Sequence, residues 1–191
     1  MDFGNSQLPD RAQRLLASLG RNLEYDCDGG SVISLVRTEV SDHDLADLIC
    51  YPGFDKLDLA YTRISDVGLQ HIGKMTYLES LRLEGTGIAD RGVVELAGLS
   101  RLETLHIGDS DILFPGRPAL PADIRRKMKI TDAALGHLTS LTSLHDLNLT
   151  RTRVTDDGLL RYLPELTQLQ GLSLNCLDIT DAGVEALHHF N

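Results

Sequence analysis

The sequence predicts an α/β solenoid, in which short parallel strands alternate with helical segments and stack side by side. Three observations indicate this fold class. Apolar residues recur at a fixed interval along most of the chain, each unit changes from strand spacing to helix spacing, and the composition is that of a globular protein. The chain has 191 residues, of which 42% are hydrophobic and 24% charged. This is enough to bury one core, and it argues against disorder.

The repeating unit is defined by the first apolar residue of each predicted strand. The interval is 24 residues from 33 to 57, from 57 to 81 and from 81 to 105, then 42 from 105 to 147 and 25 from 147 to 172. Six self-similar units predict a structure in which each unit packs against the next. The residues at this position are Ile33, Leu57, Leu81, Leu105, Leu147 and Leu172.

Within one unit the apolar spacing changes from two residues to three. Leu81 and Leu83 point to one side of a strand, whereas Val93, Leu96 and Leu99 follow helical spacing. A single unit of this kind cannot bury its own apolar side. Stacked copies can, and we expect a parallel sheet on one side of a continuous leucine core and helices on the other.

The consensus L-x-x-L-x-L-x-x-T-x-I-x-D-x-G-L-x-x-L-x-x-L resembles the leucine-rich repeat family from about residue 31 to the end of the chain. Units such as LDLAYTRISDVGL and LNLTRTRVTDDGL are similar to the T-x-I-T-D-x-G-L repeats of bacterial proteins, notably planctomycete ones, and of F-box-associated proteins. The resemblance implies a right-handed β-α superhelix with the sheet on its concave face and the helices on its convex face. It also implies a protein-binding surface.

Three polar positions of the repeat form columns through the predicted solenoid. We expect the Thr or Ser column to satisfy backbone groups where the chain leaves each strand. The resemblance implies a hydrogen-bonded ladder there, from which Leu177 departs. Asp at each helix start favours helix capping over a row of metal ligands or catalytic acids, and Gly two residues later indicates close packing of helices. The Asp column consists of Asp42, Asp66, Asp90, Asp132, Asp156 and Asp181, and the Gly column consists of Gly68, Gly92, Gly158 and Gly183.

The two ends of the chain differ from the repeats. Residues 1–30 predict an N-terminal cap, with a helix at 9–19 and a strand at 23–27, and the alternative is that this helix docks a partner. Residues 31–191 hold the six repeats. No capping unit follows the last repeat helix, which predicts either a longer array or self-association through the last repeat.

An insertion at 113–129 interrupts the unit that starts at Leu105. It carries a net charge of +4, so the rest of the chain carries −14 of the total of −10. The insertion is interpreted either as a surface loop that balances the acidic body or as a loop that binds a partner. Its charged residues are Arg117, Arg125, Arg126, Lys127 and Lys129 against Asp123.

Composition disfavours several classes of function. Lys and Arg number 18 against 28 Asp and Glu, which is the wrong balance for a protein that binds nucleic acid phosphates. No apolar run reaches the roughly 20 residues of a membrane-spanning helix. No secretory signal is visible at the N-terminus, so we expect a cytoplasmic protein without nucleic-acid or membrane partners.

Neither a metal site nor a catalytic site is expected. Cys27, Cys50 and Cys176 match no metal-ligand spacing and are interpreted as reduced, mostly buried thiols. His106 has Asp109 nearby, but the sequence has no nucleophile elbow around it. We therefore expect no enzyme activity, no cofactor and no metal.

The strand face, as we call it, consists of the polar side chains that the predicted strands turn away from the leucine core. Neighbouring parallel strands lie about 4.8 Å apart, so we expect Asp58, Arg82 and His106 to lie next to one another. Glu84 can reach Arg82 on the same strand. The predicted partner-binding residues are Asp58, Tyr61, Arg82, Glu84, His106, Asn148 and Arg151 on the strand face, and Arg125, Arg126 and Lys127 in the insertion.

The predicted function is that of a non-catalytic module that binds a protein or peptide through the strand face and the insertion. Six strands offer roughly 360 Å², less than the about 800 Å² per partner of a stable interface. The alternative is the substrate-recognition part of an F-box-type ubiquitin-ligase adaptor or a bacterial effector, although residues 8–23 are too short to be an F-box. A structural spacer is a third hypothesis.

Overall fold

The computed structural model describes residues 10–20, 23–25, 30–49, 53–109 and 129–189. Seven short strands form one sheet in the order in which they occur along the chain. β1 pairs with β2 in the antiparallel direction, and every later pair is parallel. The strands are β1 Leu23–Tyr25, β2 Ser31–Ser34, β3 Lys56–Asp58, β4 Ser80–Arg82, β5 Thr104–His106, β6 Asp146–Asn148 and β7 Gly171–Ser173.

The register of the sheet follows the leucines. Ile33 is opposite Leu57, Leu57 is opposite Leu81, and the same position continues through Leu105 and Leu147 to the last strand. The repeat predicted from the sequence is therefore the structural unit, and the predicted α/β solenoid is confirmed.

Helical segments connect the strands on the other side of the core. Most are about two turns long, and three continue into 3₁₀ turns. The α-helices are α1 Asp10–Ser18, α2 Asp42–Leu48, α3 Asp66–Ile72, α4 Asp90–Val93, α5 Asp132–Leu138, α6 Asp156–Tyr162 and α7 Asp181–Glu185. The 3₁₀ segments are Val94–Gly98, Leu163–Glu165 and Ala186–His189.

Most of the buried apolar side chains form one continuous core that runs from Ala12 in α1 to Ala186 near the end of the chain, and Ala60 and Tyr61 pack in a separate small cluster. Strand positions such as Leu81 and Leu83 and helix positions such as Val93 are fully buried. Every repeat contributes to this core, so no repeat has an interior of its own. Among the described residues, no helix is both long and apolar enough to span a membrane.

The threonines that follow the strands close a turn within their own repeat. Thr62 Oγ1 donates to the Leu59 carbonyl at 2.7 Å, and Thr38, Thr86 and Thr152 make the same bond three residues back. The ladder between repeats that the resemblance implied is not formed by these hydroxyls. The last repeat has Leu177 in place of a threonine and keeps this turn without a hydroxyl, because the Leu177 amide donates to the Leu174 carbonyl at 3.4 Å.

The aspartate column joins neighbouring repeats, which corrects the expectation that it caps its own helices. The Ser65 hydroxyl and amide donate to the two Asp42 oxygens at 2.6 and 2.8 Å. The same hydroxyl caps α3 by accepting from the Val67 amide. Asp90, Asp132 and Asp156 bind the next repeat in the same way, through Thr131, Thr155 and Thr180.

The glycine column makes room for these aspartates. A Cβ at Gly68 would lie 2.5 Å from the Asp42 carboxylate, and one at Gly92 would lie 3.0 Å from Asp66 Cα. The close approach predicted from the sequence is therefore present, and the group that approaches is the linking aspartate of the preceding repeat.

Cys176 is exposed, so the expectation of buried thiols is wrong for this residue. Cys27 and Cys50 lie outside the described residues, as does the insertion up to residue 128.

Replacing Gly92 with alanine tests the close contact with Asp66. We expect Gly92→Ala to lower the free energy of unfolding by roughly 2 kcal/mol, because the new methyl group forces α4 away from the preceding repeat. Urea denaturation measures the change. The control is Gly98→Ala, where a Cβ meets no atom closer than 3.9 Å. It should leave stability unchanged or raise it by up to about 1 kcal/mol, and equal losses in the two variants would contradict the contact.

Ala89 occupies the capping position of α4, where other repeats have Ser or Thr. Its amide donates to Asp66 at 2.7 Å, but it has no hydroxyl, and Arg91 Nε binds the second Asp66 oxygen instead. We expect Ala89→Thr to raise the free energy of unfolding by about 1 kcal/mol and Thr155→Ala to lower it by a similar amount. Thermal and urea unfolding measure both. A loss of stability in Ala89→Thr would show that the hydroxyl does not carry the effect.

Candidate functional site

The strand face brings together the polar residues that end β3, β4 and β5. Asp58 is opposite Arg82, Arg82 is opposite His106, and His106 is opposite Asn148 in the parallel register. Because the leucines on either side of each residue point into the core, these side chains point the other way. The sequence therefore predicts their row correctly.

Glu84 lies beneath this row and holds two of its members. Its side chain is only 1% exposed. Arg82 donates to Glu84 Oε1 from Nη2 at 2.9 Å and from Nε at 3.2 Å. His106 Nδ1 lies 3.3 Å from the same oxygen. Since an ionised carboxylate only accepts hydrogen bonds, His106 carries a proton on Nδ1 and donates it to Glu84.

The outer ends of Arg82 and His106 have looser contacts. Arg82 Nη1 lies 3.6 Å from Asp58 Oδ2, and His106 Nε2 lies 3.6 Å from Asp146 Oδ2. Both distances exceed that of a hydrogen bond. The Arg82 side chain is 41% exposed and that of Asp146 is 50% exposed, so solvent reaches this part of the strand face.

Burial and charge shift the pKa values of the cluster in opposite directions. Burial alone would raise the pKa of Glu84, but hydrogen bonds from His106 and Arg82 outweigh it and lower that pKa. Burial would also lower the pKa of His106, whereas the bond to Glu84 raises it above the ordinary value of 6.5. For Asp58 burial prevails and raises the pKa, despite the Ala60 amide and Arg82. Glu84 is thus ionised at neutral pH, and His106 has an increased tendency to be protonated.

A second line of side chains, which we call the turn ridge, runs beside the strand face at the residues before the threonine column. The Arg37 guanidinium carbon lies 4.7 Å from the centre of the Tyr61 ring. That ring lies over Gly85, where any Cβ would overlap it. Arg37, Tyr61 and Gly85 all have φ near +60°. Glycine at position 85 therefore meets two requirements: it adopts a positive φ without strain, and it leaves the space that the Tyr61 ring occupies.

The turn ridge continues past the interrupted repeat. Arg151 also has a positive φ, and its Nη1 lies 3.5 Å from the buried Asp109 carboxylate. Asn148 accepts the Thr150 amide at 2.9 Å, as Asp58 accepts the Ala60 amide at 3.0 Å. Asn148 therefore fixes the turn next to the strand face.

The structure divides the predicted partner-binding residues into three groups. Arg82, Asp58, His106 and Arg151 reach the surface at least in part. The side chains of Tyr61, Glu84 and Asn148 are buried, so they position neighbours and offer little area for contact. Those of the insertion, Arg125, Arg126 and Lys127, lie outside the described residues.

Sequence reasoning missed two residues of this surface. Asp146 precedes the core leucine of β6 and shares a face with Asn148, because strand side chains alternate. Only the residues after that leucine were predicted to lie on the strand face. Arg37 is the first member of the turn ridge and lies one repeat before Tyr61. The regular 24-residue spacing from 37 to 61 was the sequence signal that places it there.

Two segments of the chain, residues 74–97 and 137–160, match the family model described as Leucine Rich repeat. The first includes β4 and α4, and the second includes β6 and most of α6. These two segments of the chain are leucine-rich repeats. The general resemblance to leucine-rich repeats noted from the sequence is confirmed by the match and by the stacked parallel strands. No curated protein matches the sequence.

One solved structure shows the same fold, and two others align less closely. Internalin C2 of Listeria monocytogenes aligns with a TM-score of 0.62 and 21% identity, over 97% of this chain and 72% of that one. The PEPR1–AtPEP1 structure (TM-score 0.46, 17% identity) covers 82% of this chain and 20% of that one. The internalin inlF of Listeria monocytogenes (TM-score 0.44, 19% identity) covers 84% and 52%. This leucine-rich repeat chain thus spans a fifth of one of these proteins and about half of another.

The His106–Glu84 pair makes stability depend on pH. Because the pKa of His106 is higher in the folded chain than in the unfolded chain, the pair stabilises the fold fully below about pH 6.5. That contribution is lost as the pH rises through the folded pKa. We expect the free energy of unfolding of the wild type to approach that of His106→Gln over this range. Urea midpoints measured at each pH give the difference, and a difference that grows with rising pH would contradict the pairing.

Proposed function

We propose that this leucine-rich repeat chain is a non-catalytic interaction module that binds a protein or peptide partner through the strand face. The observation that carries the proposal is the row of Asp58, Arg82 and His106, in which the buried Glu84 carboxylate holds Arg82 and His106 in place. Side chains that are fixed before binding lose little conformational entropy when a partner arrives. A solvent-reachable row of this kind is suited to recognition.

The turn ridge extends the proposed surface at one side. Arg37, Tyr61 and Arg151 are of the residue types that contribute most at protein interfaces. Tyr61 is largely covered by Arg37 and Gly85, so it gives the ridge a rigid base. The proposed surface is therefore a polar strip with an adjoining ridge that carries Arg37 and Arg151, which are separated along the ridge by Tyr61, Gly85 and Asp109.

The size of the strand face favours an extended peptide or a weakly bound protein over a large rigid partner. Its roughly 360 Å² is below what a stable interface buries on each side. We include Arg125, Arg126 and Lys127 of the insertion in the proposed surface because of their charge and their place in the sequence after β5. Deleting residues 113–128 measures their share of partner binding.

The test neutralises Arg82 and Glu84 together, so that the net charge of the strand face does not change. Reversing Arg82 alone would leave the buried Glu84 carboxylate without its partner and would destabilise the fold. We therefore expect the double variant Arg82→Gln/Glu84→Gln to remain folded and to lower partner binding about tenfold or more. The measurement is quantitative affinity capture from native extract, with thermal unfolding as the folding check.

The matched control carries the same change of charge elsewhere. Arg161→Gln/Glu165→Gln replaces an exposed arginine and an exposed glutamate on the helix side. It should capture the same proteins as the wild type. Equal capture by the strand-face variant and this control would refute the proposed site.

A further inference from the structure

The outer side of the last repeat exposes apolar residues at positions that the earlier repeats bury. Val184 is 48% exposed, whereas Leu159, which holds the same position in the preceding repeat, is fully buried. We call this side of the last repeat the C-terminal face. Its apolar residues also include three partly buried ones whose equivalents belong to the buried core, namely Leu172, Leu174 and Ile179.

The backbone of the C-terminal face is open as well. In the preceding repeat, the Leu149 amide donates to the Ser173 carbonyl of the next strand at 2.9 Å, and the Arg151 amide makes a similar bond two residues later. Leu174 and Cys176 hold these two positions in the last repeat, and no described strand follows β7. An open strand edge of this kind is a template for pairing with another strand.

The polar contacts between neighbouring repeats have a fixed direction. With the exception of His106 and Asp146, the described ion pairs between repeats have the carboxylate in the earlier repeat and the cation in the later one. Each repeat thus presents acceptors to the repeat that follows and donors to the repeat that precedes it. These pairs are Glu39 with Arg63, Asp58 with Arg82, Asp66 with Arg91, Glu79 with Arg101, Glu84 with His106, and Asp109 with Arg151.

Two carboxylates of the C-terminal face hold the positions of such acceptors. Asp178 is the equivalent of Glu39, whose Oε2 lies 2.9 Å from Arg63 Nη2 in the next repeat. Asp181 is the equivalent of Asp42, which accepts a hydroxyl and an amide of the next repeat at 2.6 and 2.8 Å. Asp178 and Asp181 are both exposed. The C-terminal face therefore complements the donor side of a repeat in shape, backbone and charge.

We propose that the C-terminal face docks a further leucine-rich repeat that belongs to a separate partner polypeptide. The docking side of that repeat offers an unpaired strand edge, apolar strand residues, a serine or threonine hydroxyl for Asp181 and an arginine for Asp178. Because this surface is the end of the sheet and not the strand face, the inference is independent of the proposed function.

A second copy of this chain fits the C-terminal face poorly. At the other end of the sheet, the antiparallel strand β1 pairs with the first repeat and α1 packs against the core, so a copy does not present the donor side of a repeat there. Two C-terminal faces repel each other, because residues 163–191 hold several carboxylates and no lysine or arginine. These carboxylates are Glu165, Asp178, Asp181 and Glu185.

The chain itself provides a matched probe. A peptide of residues 53–76 contains Leu57, Arg63 and Ser65, which bind the preceding repeat within the sheet. Its control is the same peptide with Arg63→Glu and Ser65→Ala, which removes the cation and the hydroxyl and keeps the apolar residues.

The first experiment is an NMR titration of the full chain with these two peptides. We expect the 53–76 peptide to shift the amide signals of Leu174 and Cys176 saturably, and the control peptide to bind about tenfold more weakly. Asp181→Ala in the full chain should weaken the 53–76 peptide by a similar factor. Asp157→Ala removes an exposed carboxylate of α6 and should leave binding unchanged.

The second experiment removes the cost of bringing a disordered peptide to the chain. Residues 53–76 are appended directly after Asn191, which lies 19 residues after Leu172, so Leu57 of the appended unit follows Leu172 by 24 residues. We expect this unit to raise the thermal midpoint by about 3 °C or more. Asp181→Ala should reduce that gain and have little effect on the midpoint of the chain without the unit.

Each outcome decides the inference. Peptide binding that Asp181→Ala does not alter, or no gain from the appended unit, would overturn it. A gain from the appended unit without binding of the free peptide at millimolar concentration would limit the face to repeats of the same polypeptide and would refute the separate partner. A wild-type dimer in sedimentation velocity that protects the Leu174 and Cys176 amides from hydrogen exchange would identify a second copy as the occupant instead.

Discussion

A repeat of this protein cannot bury its own leucines, and the rest of the structure depends on that constraint. Each short strand exposes one side and each helical segment needs a surface to pack on, so only a neighbouring repeat completes the interior. The result is the single core that runs from α1 to the last helix. The polar columns follow from the same need. Because repeats must stay in register, Asp42 and its equivalents bond to the next repeat, and a glycine of that repeat leaves room for the carboxylates of Asp42, Asp66, Asp132 and Asp156.

Stacking also determines the chemistry of the strand face. Parallel strands in register place equivalent residues beside one another, so a run of like charges in one column would destabilise the sheet. The column of Asp58, Arg82, His106 and Asn148 limits this by having an acidic residue at one end and a neutral residue at the other. A column of Arg82 and His106 alone would still bring two cations together. Glu84, placed below them both, removes that repulsion and fixes their orientation.

The sequence predicts the repeats and much less of the site. Leu57, Leu81 and their equivalents specify the register, because an interval of 24 residues with alternating leucines fits only one way of stacking. The burial of Glu84 was not predictable in this way. Its column contains Ala60 and Gly108, and burial there depends on how Arg82 and His106 fold over it. Likewise, the role of the aspartates was not predictable from the sequence, since capping within a helix and bonding to the next repeat require the same residue types.

Glu84 is best understood through its energetics. A buried carboxylate with two cationic partners contributes little net stability, because desolvation of the charges offsets most of their attraction. An apolar residue in the same column, such as Ala60 of the preceding repeat, satisfies the fold without that cost. What Glu84 does provide is position: it holds Arg82 and His106 from below, with Nη1 near Asp58 and Nε2 near Asp146. A carboxylate that adds order more than stability fits a surface that recognises another molecule, because the repeats would stack as well without it.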